Sequence, residues 1–328
     1  MPEPSLYVKA MVSAASVSVL FVLAVVASRR TAGTTWLHSA CVLGIGPGLA
    51  VGCCVLTLNL GWPPASALDR FLTIVVPVAL GIELIAGFQG APRWAAWFLR
   101  IGLAATIPRI LLHGSVYLSG ADSDWPLWRG YTALVLCGAL LAGVWTLLAW
   151  LSRRSPGVSI PFALCLTIQC AGLTVMMAGY IKGGAATFPL VATLLAVTIA
   201  ARRITKRSGI TNFDAVAIAG IGIVCLFGVL FIGRFFGRLS DGSALTMLLA
   251  PLLCWATEMP LLRHRKPWLV GSLRIVLVAI PLAVVLGLAK RDFDRDMGPL
   301  LGMHSRPPVA ITVTVGGATS KTKHAALR

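Results

Sequence analysis

Six ionisable residues lie within apolar stretches of this sequence, where a charge is costly. They are Glu83, Arg100, Arg109, His113, Glu258 and Arg274. A charge at the centre of a membrane-spanning helix costs about 2.5–3.5 kcal/mol on insertion scales. Such groups therefore pair with one another, face the interior of a helix bundle or extend to the membrane surface. These residue types allow ion pairing, proton transfer and anion binding.

Four of the six are spaced as partners within two hairpins. Glu83 and Arg100 are equidistant from a turn near residue 91, and Glu258 and Arg274 from a turn near residue 266. Each glutamate is therefore predicted to lie at the depth of the arginine on the returning helix. One interpretation is a pair of structural ion pairs, or arginines that extend to headgroups. The other is two related ion pairs that act in gating or proton coupling.

Arg109 and His113 lie four residues apart in the stretch IPRILLHG, so one helical face carries both. Arg100, nine residues earlier, falls on the opposite face. Pro108 lacks an amide hydrogen and is expected to bend the helix between the two faces. A cationic pair of this kind suits a carboxylate, a phosphate or a lipid headgroup. In the alternative interpretation, both side chains simply extend to outer headgroups.

Two aspartate-rich stretches resemble metal sites only superficially. Asp122 and Asp124 stand in GADSDWPLWRGY (120–131), a short loop in which acidic residues could act on a lipid-linked substrate. RDFDRDMG (291–298) has calcium-loop spacing but lacks the glycine and glutamate that an EF-hand loop requires. The eight cysteines also lack metal-binding spacing. The sequence therefore predicts no metal site and no cofactor.

The elements that must position these residues are membrane-spanning helices. The chain is 57% hydrophobic and 12% charged, about half the charged fraction of a soluble protein. Apolar blocks of about 20 residues, the length that crosses a bilayer, recur along it. We predict an all-α polytopic membrane protein with a transmembrane domain at 1–290 and a polar, flexible C-terminal tail at 291–328. The ten predicted helices lie near 9–28, 36–60, 70–89, 94–118, 129–152, 158–181, 184–201, 212–233, 243–262 and 267–289.

The net charge of +17 is distributed between the apolar blocks rather than gathered in one patch, which argues against nucleic-acid binding. Connections after the odd-numbered helices hold twelve lysines and arginines, and those after the even-numbered helices hold five. The positive-inside rule then places the odd connections in the cytoplasm and both termini outside the plasma membrane. Seven basic residues in the tail argue the other way.

The first and last four helices show internal similarity. LTIVVP (72–77) recurs as LTMLLAP (245–251), and WAAWFLRIGL (94–103) recurs as WLVGSLRIVL (268–277). An offset of six helices preserves orientation, so a duplication would be a parallel repeat of the kind found in secondary transporters. Chance similarity between apolar segments is the alternative. The predicted units are repeat A at 9–118, a middle hairpin at 129–181 and repeat B at 184–289.

These features favour a non-enzymatic, permease-like transporter of a small anionic or amphipathic substrate, with membrane lipids as partners. That function predicts a continuous polar cavity lined by Arg109, His113 and at least one ion pair. A second hypothesis is a scaffold or subunit of a membrane complex, with these groups in buried contacts or at headgroups. A third is an enzyme acting on a lipid-linked substrate, which requires Asp122 and Asp124 to converge with Arg109 or His113.

Overall fold

The chain is an all-helical, multi-pass membrane protein, seen here in a computed structural model. The structure describes residues 3–28, 34–58, 61–88, 92–119, 126–208, 215–258 and 267–302. Within these ranges all regular structure is helical. The ten helices are α1 (Pro4–Ala27), α2 (Thr34–Val55), α3 (67–86), α4 (Arg93–Leu112), α5 (Leu127–Arg154), α6 (Ser159–Met177), α7 (Ile181–Arg207), α8 (Val216–Phe235), α9 (241–258) and α10 (Pro267–Gly302).

All ten lie where the sequence predicts a helix, but only eight are, by length and composition, candidates to cross a membrane without interruption. The other two, α3 and α9, change helix type along their length. In α3, a π-helical segment at Phe71–Val75 separates two α-helical parts. In α9, the second half, Ala250–Glu258, is a 3₁₀ helix. Both changes occur next to a proline, whose missing amide disrupts the α-helical hydrogen-bond ladder.

Helix α8 forms the centre of the bundle. Its most apolar 18-residue window is completely buried, and it packs against α2 to α7 and α9. A helix that is hydrophobic on every side has no face for solvent and belongs in a core. Of the helices that bear candidate site residues, α3, α4 and α9 therefore pack on one buried helix, whereas α10 packs on α6 and α9.

Helices α1 and α2 pack closely along ridges of small residues. The ridge on α2 consists of glycines at four-residue spacing, and the ridge on α1 consists of equally spaced small residues. A Cβ atom at Gly48 would overlap Ser18 Oγ and lie 2.8 Å from the carbonyl oxygen of Ala14. Small residues at such spacing let backbones approach closely in membranes, where dispersion contacts drive association. The facing residues are Gly44, Gly48 and Gly52 on α2 and Ala10, Ala14 and Ser18 on α1.

Two boundaries differ from the sequence-based prediction. Helix α4 ends at Leu112 rather than near residue 118, because the chain turns at Gly114 with a φ of +69°. A single helical turn follows at Val116–Ser119. Helix α10 continues to Gly302, so the first twelve residues of the predicted flexible tail are helical. The remainder of that predicted tail, residues 303–328, lies outside the described ranges.

Candidate functional site

The helix ends define two faces, which we name by their connections. The odd face carries the connections after α1, α3, α5, α7 and α9, and the even face carries those after α2, α4, α6 and α8. A hydrogen bond of 3.0 Å between His38 Nε2 at the start of α2 and the carbonyl oxygen of Glu83 links helix ends at the odd face. Arg70 at the start of α3 contacts the end of α4 at the even face.

Glu83 and Arg100 form a buried ion pair between α3 and α4. Arg100 Nε donates to Glu83 Oε1 at 2.9 Å, and Arg100 Nη2 donates to Oε2 at 2.7 Å. The two side chains are 0% and 3% exposed. Two nitrogens of the planar guanidinium therefore contact both carboxylate oxygens. Because both side chains are buried, solvent does not reach the pair.

The central helix leaves space for this ion pair. A Cβ atom at Gly220 of α8 would lie only 2.6 Å from Glu83 Oε1. The ring of Trp97 lies beneath Arg100, with its centroid 5.1 Å from the guanidinium carbon. Glycine on one side and an aromatic face on the other thus confine the pair, as expected for charges removed from water.

The second pair, Glu258 and Arg274, has a different environment between α9 and α10. Arg274 Nη2 donates to Glu258 Oε1 at 2.6 Å and to Ser155 Oγ at 2.7 Å. Its Nε donates to Thr257 Oγ1 at 2.7 Å, and its Nη1 donates to Ser159 Oγ at 3.0 Å. One carboxylate oxygen and three hydroxyls therefore surround this guanidinium.

The Glu258–Arg274 pair opens onto a cavity, unlike the pair in the first hairpin. The Glu258 side chain is 20% exposed, whereas that of Glu83 is fully buried. Both Glu258 and Arg274 line a cavity of about 650 Å³ at the odd face, which we call the odd-face cavity. Within this pair Glu258 is the more exposed member, because the Arg274 side chain is only 4% exposed.

The odd-face cavity is basic. Among the described residues, Arg154 from α5, Arg202 from α7 and Arg274 from α10 line it, against one carboxylate, Glu258. Four hydroxyl residues on its wall, Ser155, Ser159, Thr257 and Ser272, supply further hydrogen-bonding groups. Converging arginines and hydroxyls are the groups that bind carboxylate and phosphate oxygens.

Aromatic rings hold one of these arginines at the wall. The guanidinium carbon of Arg154 lies 4.2 Å from the ring centroid of Trp150 and 6.0 Å from that of Trp255. The two indoles are themselves in contact, with centroids 4.9 Å apart. The adjacent helix α6 begins at Ser159 without a side-chain cap, so its positive end also faces this part of the molecule. These features add to the attraction for an anion.

Arg109 and His113 line a separate cavity of about 410 Å³ at the even face, here called the even-face cavity. Ser115 and Tyr131 also contribute to its wall, and none of the described residues that line it is acidic. The backbone differs from the single helical face expected from sequence. Arg109 lies in the last turn of α4, whereas His113 follows the helix end in extended geometry. Both still reach the same cavity.

Arg70 stabilises the helix end beside the even-face cavity. Its Nη1 donates to the carbonyl oxygens of Leu111 and His113, and its Nη2 donates to that of Ala65 at 3.0 Å. A cation there satisfies carbonyl groups that the helix leaves unpaired and complements the negative end of the helix dipole. Arg70 thereby positions the segment that carries His113.

The predicted site residues are divided between three places rather than joined in one cavity. Arg109 and His113 line the even-face cavity, and Glu258 and Arg274 line the odd-face cavity, with no lining residue in common. Glu83 and Arg100 line neither. Asp122 and Asp124, on which the enzyme hypothesis depends, lie outside the described residues.

From the sequence, Arg154 and Arg202 count only among the twelve basic residues of the odd-numbered connections, and no pattern links Ser155 or Ser159 to Arg274. Their proximity to the odd face follows from the alternating charge pattern. That they meet around one cavity depends on which helices are neighbours, which a single sequence does not show.

Within the described ranges no group of three or more metal-ligating side chains occurs. Comparison with protein families, curated proteins and solved structures finds no match to this chain.

Proposed function

We propose that this protein is a permease-like transporter of a small anion, with the odd-face cavity as a substrate site. The observation that supports the proposal most strongly is the position of the Glu258–Arg274 ion pair at the wall of a cavity to which the described residues contribute three arginines and one carboxylate, with Glu258 itself 20% exposed. Nothing about catalysis is needed to account for this arrangement. The ligand chemistry it suits is a carboxylate, phosphate or sulfate group.

In the proposed binding step, the substrate anion replaces Glu258 as the partner of Arg274. Glu258 contacts Arg274 through one oxygen, while Ser155, Ser159 and Thr257 hold the guanidinium in place. The arginine therefore stays oriented when its carboxylate partner leaves. Glu258 ends the 3₁₀ segment of α9, so its release couples ligand binding to a helix of unusual geometry.

Transport also requires access from the other face, and the even-face cavity supplies a second basic opening. Between the faces the bundle is closed, with Leu141, Trp145 and Leu148 in the middle of α5 at most 1% exposed. Exchange between the cavities thus needs a rearrangement. We propose that the interrupted helices α3 and α9 provide it, as interrupted helices do around transporter sites.

We further propose that α1–α4 and α7–α10 arose by duplication as a parallel repeat. Supporting this, each third helix of a unit is interrupted near the similar motifs LTIVVP (72–77) and LTMLLAP (245–251). Each also carries a glutamate paired with an arginine 17 or 16 residues later. An experimental structure in which 9–118 does not superpose on 184–289 would reject the duplication.

For orientation, we propose that the odd face is cytoplasmic in the plasma membrane, in line with its excess of basic residues. Gly157 and Gly242 lie at the odd and even faces, and each has open space for a side chain. In a Cys54→Ser background, a membrane-impermeant maleimide should label Gly242→Cys on intact cells and Gly157→Cys only after lysis. The opposite pattern would reverse the orientation.

One observation favours the scaffold hypothesis as the second candidate function. Glu83 and Arg100 are sealed in mutual contact, and the two basic cavities share no lining residue. A non-transporting subunit needs only such a closed bundle. The two functions differ in outcome, because a scaffold shows no flux of any anion that it binds.

Anion binding can be tested on the purified protein by thermal unfolding. The panel contains phosphate, sulfate, acetate, benzoate and hexyl phosphate. A ligand at 100 times its Kd stabilises the folded state by about 2.7 kcal/mol. At least one anion should raise the Tm of the wild type, and the double variant Arg154→Gln/Arg202→Gln should lose most of that shift.

The matched control is Arg153→Gln/Lys206→Gln. It removes two charges from the ends of the same two helices, and neither residue lines the odd-face cavity. This control should keep the wild-type shift. Equal shifts in both double variants, or no shift with any anion of the panel, would reject the odd-face cavity as the substrate site.

A further inference from the structure

A long apolar groove lies on the outer side of the bundle, between α1 and α7. Its volume is about 630 Å³, and side chains such as Val12, Val19 and Leu23 on α1 and Ile199 on α7 line it. Several of these side chains are well exposed, with Val12 at 59% and Ile199 at 48%. The groove therefore faces the surroundings of the bundle rather than its core.

The groove has one charged end. Arg203 and Arg207 complete its lining at the end of α7, and no acidic residue of the described ranges contributes to it. The two arginines are four residues apart and so share the helix face that forms the groove. Because α1 and α7 both run from the even to the odd face, this cationic end lies at the odd face.

The basic residues at the end of α7 are divided between different surroundings. Arg203 and Arg207 belong to the groove, whereas the neighbouring Arg202 lines the odd-face cavity. Lys206 lines neither. The charge at the groove is thus a local feature and not only part of a uniformly basic helix end.

The dimensions of the groove suit a lipid chain. Its lining on α7 is apolar from Ala192 to Ala200, about 12 Å at 1.5 Å per residue. One leaflet of a bilayer has a hydrocarbon thickness of about 15 Å, half of the full core. The apolar part of the groove is therefore about one leaflet deep, and its arginines lie where headgroups begin.

We propose that this groove is a binding site for one anionic phospholipid of the odd-face leaflet. The acyl chain lies along α1 and α7, and the phosphate contacts Arg203 and Arg207. Basic pockets between transmembrane helices bind anionic lipid headgroups in this way. A second copy of the chain fits less well, because a two-fold contact through this face would place these arginines near their own symmetry mates. The proposal does not depend on the transport function.

The test counts lipids on the purified protein by native mass spectrometry. The protein is equilibrated with mixed micelles that contain equal amounts of phosphatidylglycerol and phosphatidylcholine. The wild type should retain one phosphatidylglycerol per chain in preference to phosphatidylcholine. In Arg203→Gln/Arg207→Gln, retention of phosphatidylglycerol should fall about tenfold or more, because both headgroup contacts are lost.

Two further variants separate charge from shape. Arg153→Gln/Lys206→Gln removes two charges from the same face but lies outside the groove, and it should retain phosphatidylglycerol as the wild type does. Ala196→Phe fills the groove with both arginines in place and should also lose the lipid. All variants lie at exposed or half-buried positions, and size-exclusion chromatography checks that each remains folded.

Three results would overturn the proposal. The first is equal retention of the two lipids by the wild type. The second is retention of phosphatidylglycerol by Arg203→Gln/Arg207→Gln at the wild-type level. The third is that Ala196→Phe reduces the mass of an oligomer without changing lipid retention, which would show that a second copy of the chain covers the groove.

Discussion

The two Glu–Arg pairs differ in what remains around each arginine when its glutamate is removed. Arg100 has Glu83 as its two-point partner in a fully buried contact. Arg274 keeps three hydroxyl partners and a neighbouring cavity. At the scale of single residues, the first pair therefore has the geometry of a structural contact and the second that of a ligand site.

We predict different stability losses for the two glutamates. Glu83→Gln leaves a buried charge without compensation, which costs about 3–5 kcal/mol and should strongly lower the Tm in detergent. Glu258→Gln should cost clearly less, because Arg274 retains its hydroxyl contacts and its access to the cavity. Thermal unfolding of the purified variants measures both losses.

The double variant Glu83→Gln/Arg100→Gln serves as the control for this comparison. It removes both charges and should recover part of the stability lost in Glu83→Gln. If this variant folds and is expressed normally but loses transport, the buried pair has a functional role beyond stability. Equal Tm losses for Glu83→Gln and Glu258→Gln would contradict the assignment of different roles.

The equal spacing of glutamate and arginine from each hairpin turn correctly predicted both ion pairs. It did not predict that the environments of the two pairs differ. The difference arises from residues distant in sequence, such as Ser155 and Gly220, which approach the pairs from other helices. For His113, a local signal was present. The glycine after it marks a helix end, and the structure has its left-handed turn there.

At the scale of elements, the α1–α2 ridge depends on glycine for space. The sequence contains a signal for this ridge, which is three glycines at four-residue spacing opposite small residues at the same spacing. The interruptions in α3 and α9 are harder to predict. Pro77 and Pro251 indicate where the α-helical hydrogen bonds are interrupted, but they do not indicate whether a π or a 3₁₀ segment results.

A pair of glycine substitutions tests the close packing of this ridge. In Gly48→Ala, the added methyl group would overlap Ser18 Oγ, so the helices must separate and the Tm should fall. In Gly143→Ala on α5, the added Cβ meets no atom within 4 Å, and higher helix propensity should leave the Tm unchanged or raise it. Thermal unfolding under identical detergent conditions compares them.

The difference between these two variants is the informative quantity, because both replace a helical glycine with alanine. Similar Tm values for Gly48→Ala and Gly143→Ala would contradict close packing of α1 on α2.

At the scale of the whole molecule, hydropathy was sufficient to predict the positions of ten helices, of which eight are candidates to cross a membrane. It did not show that α8 is the buried centre or that α5, α6, α7, α9 and α10 surround one basic cavity. Lateral neighbours depend on side-chain packing between distant segments, which hydropathy does not encode. Accordingly, Arg109 and His113 line one cavity and Glu258 and Arg274 line another, instead of the continuous cavity expected from sequence.

Because the two basic cavities lie at opposite faces, the proposed transport proceeds by alternating access rather than through an open channel. The state described here is closed along the middle of α5 and around α8. Flux should then saturate with substrate concentration, because each molecule must await a rearrangement of the bundle. A channel-like linear dependence on concentration would not fit this architecture.

The most direct test of anion transport is flux into proteoliposomes. The purified protein is reconstituted, and uptake is measured for the anion of the panel that stabilises it most. We predict saturable uptake above that of protein-free liposomes, unchanged in Arg153→Gln/Lys206→Gln and at least tenfold slower in Arg154→Gln/Arg202→Gln. Binding of that anion without uptake above the protein-free level would contradict transport and favour the scaffold function.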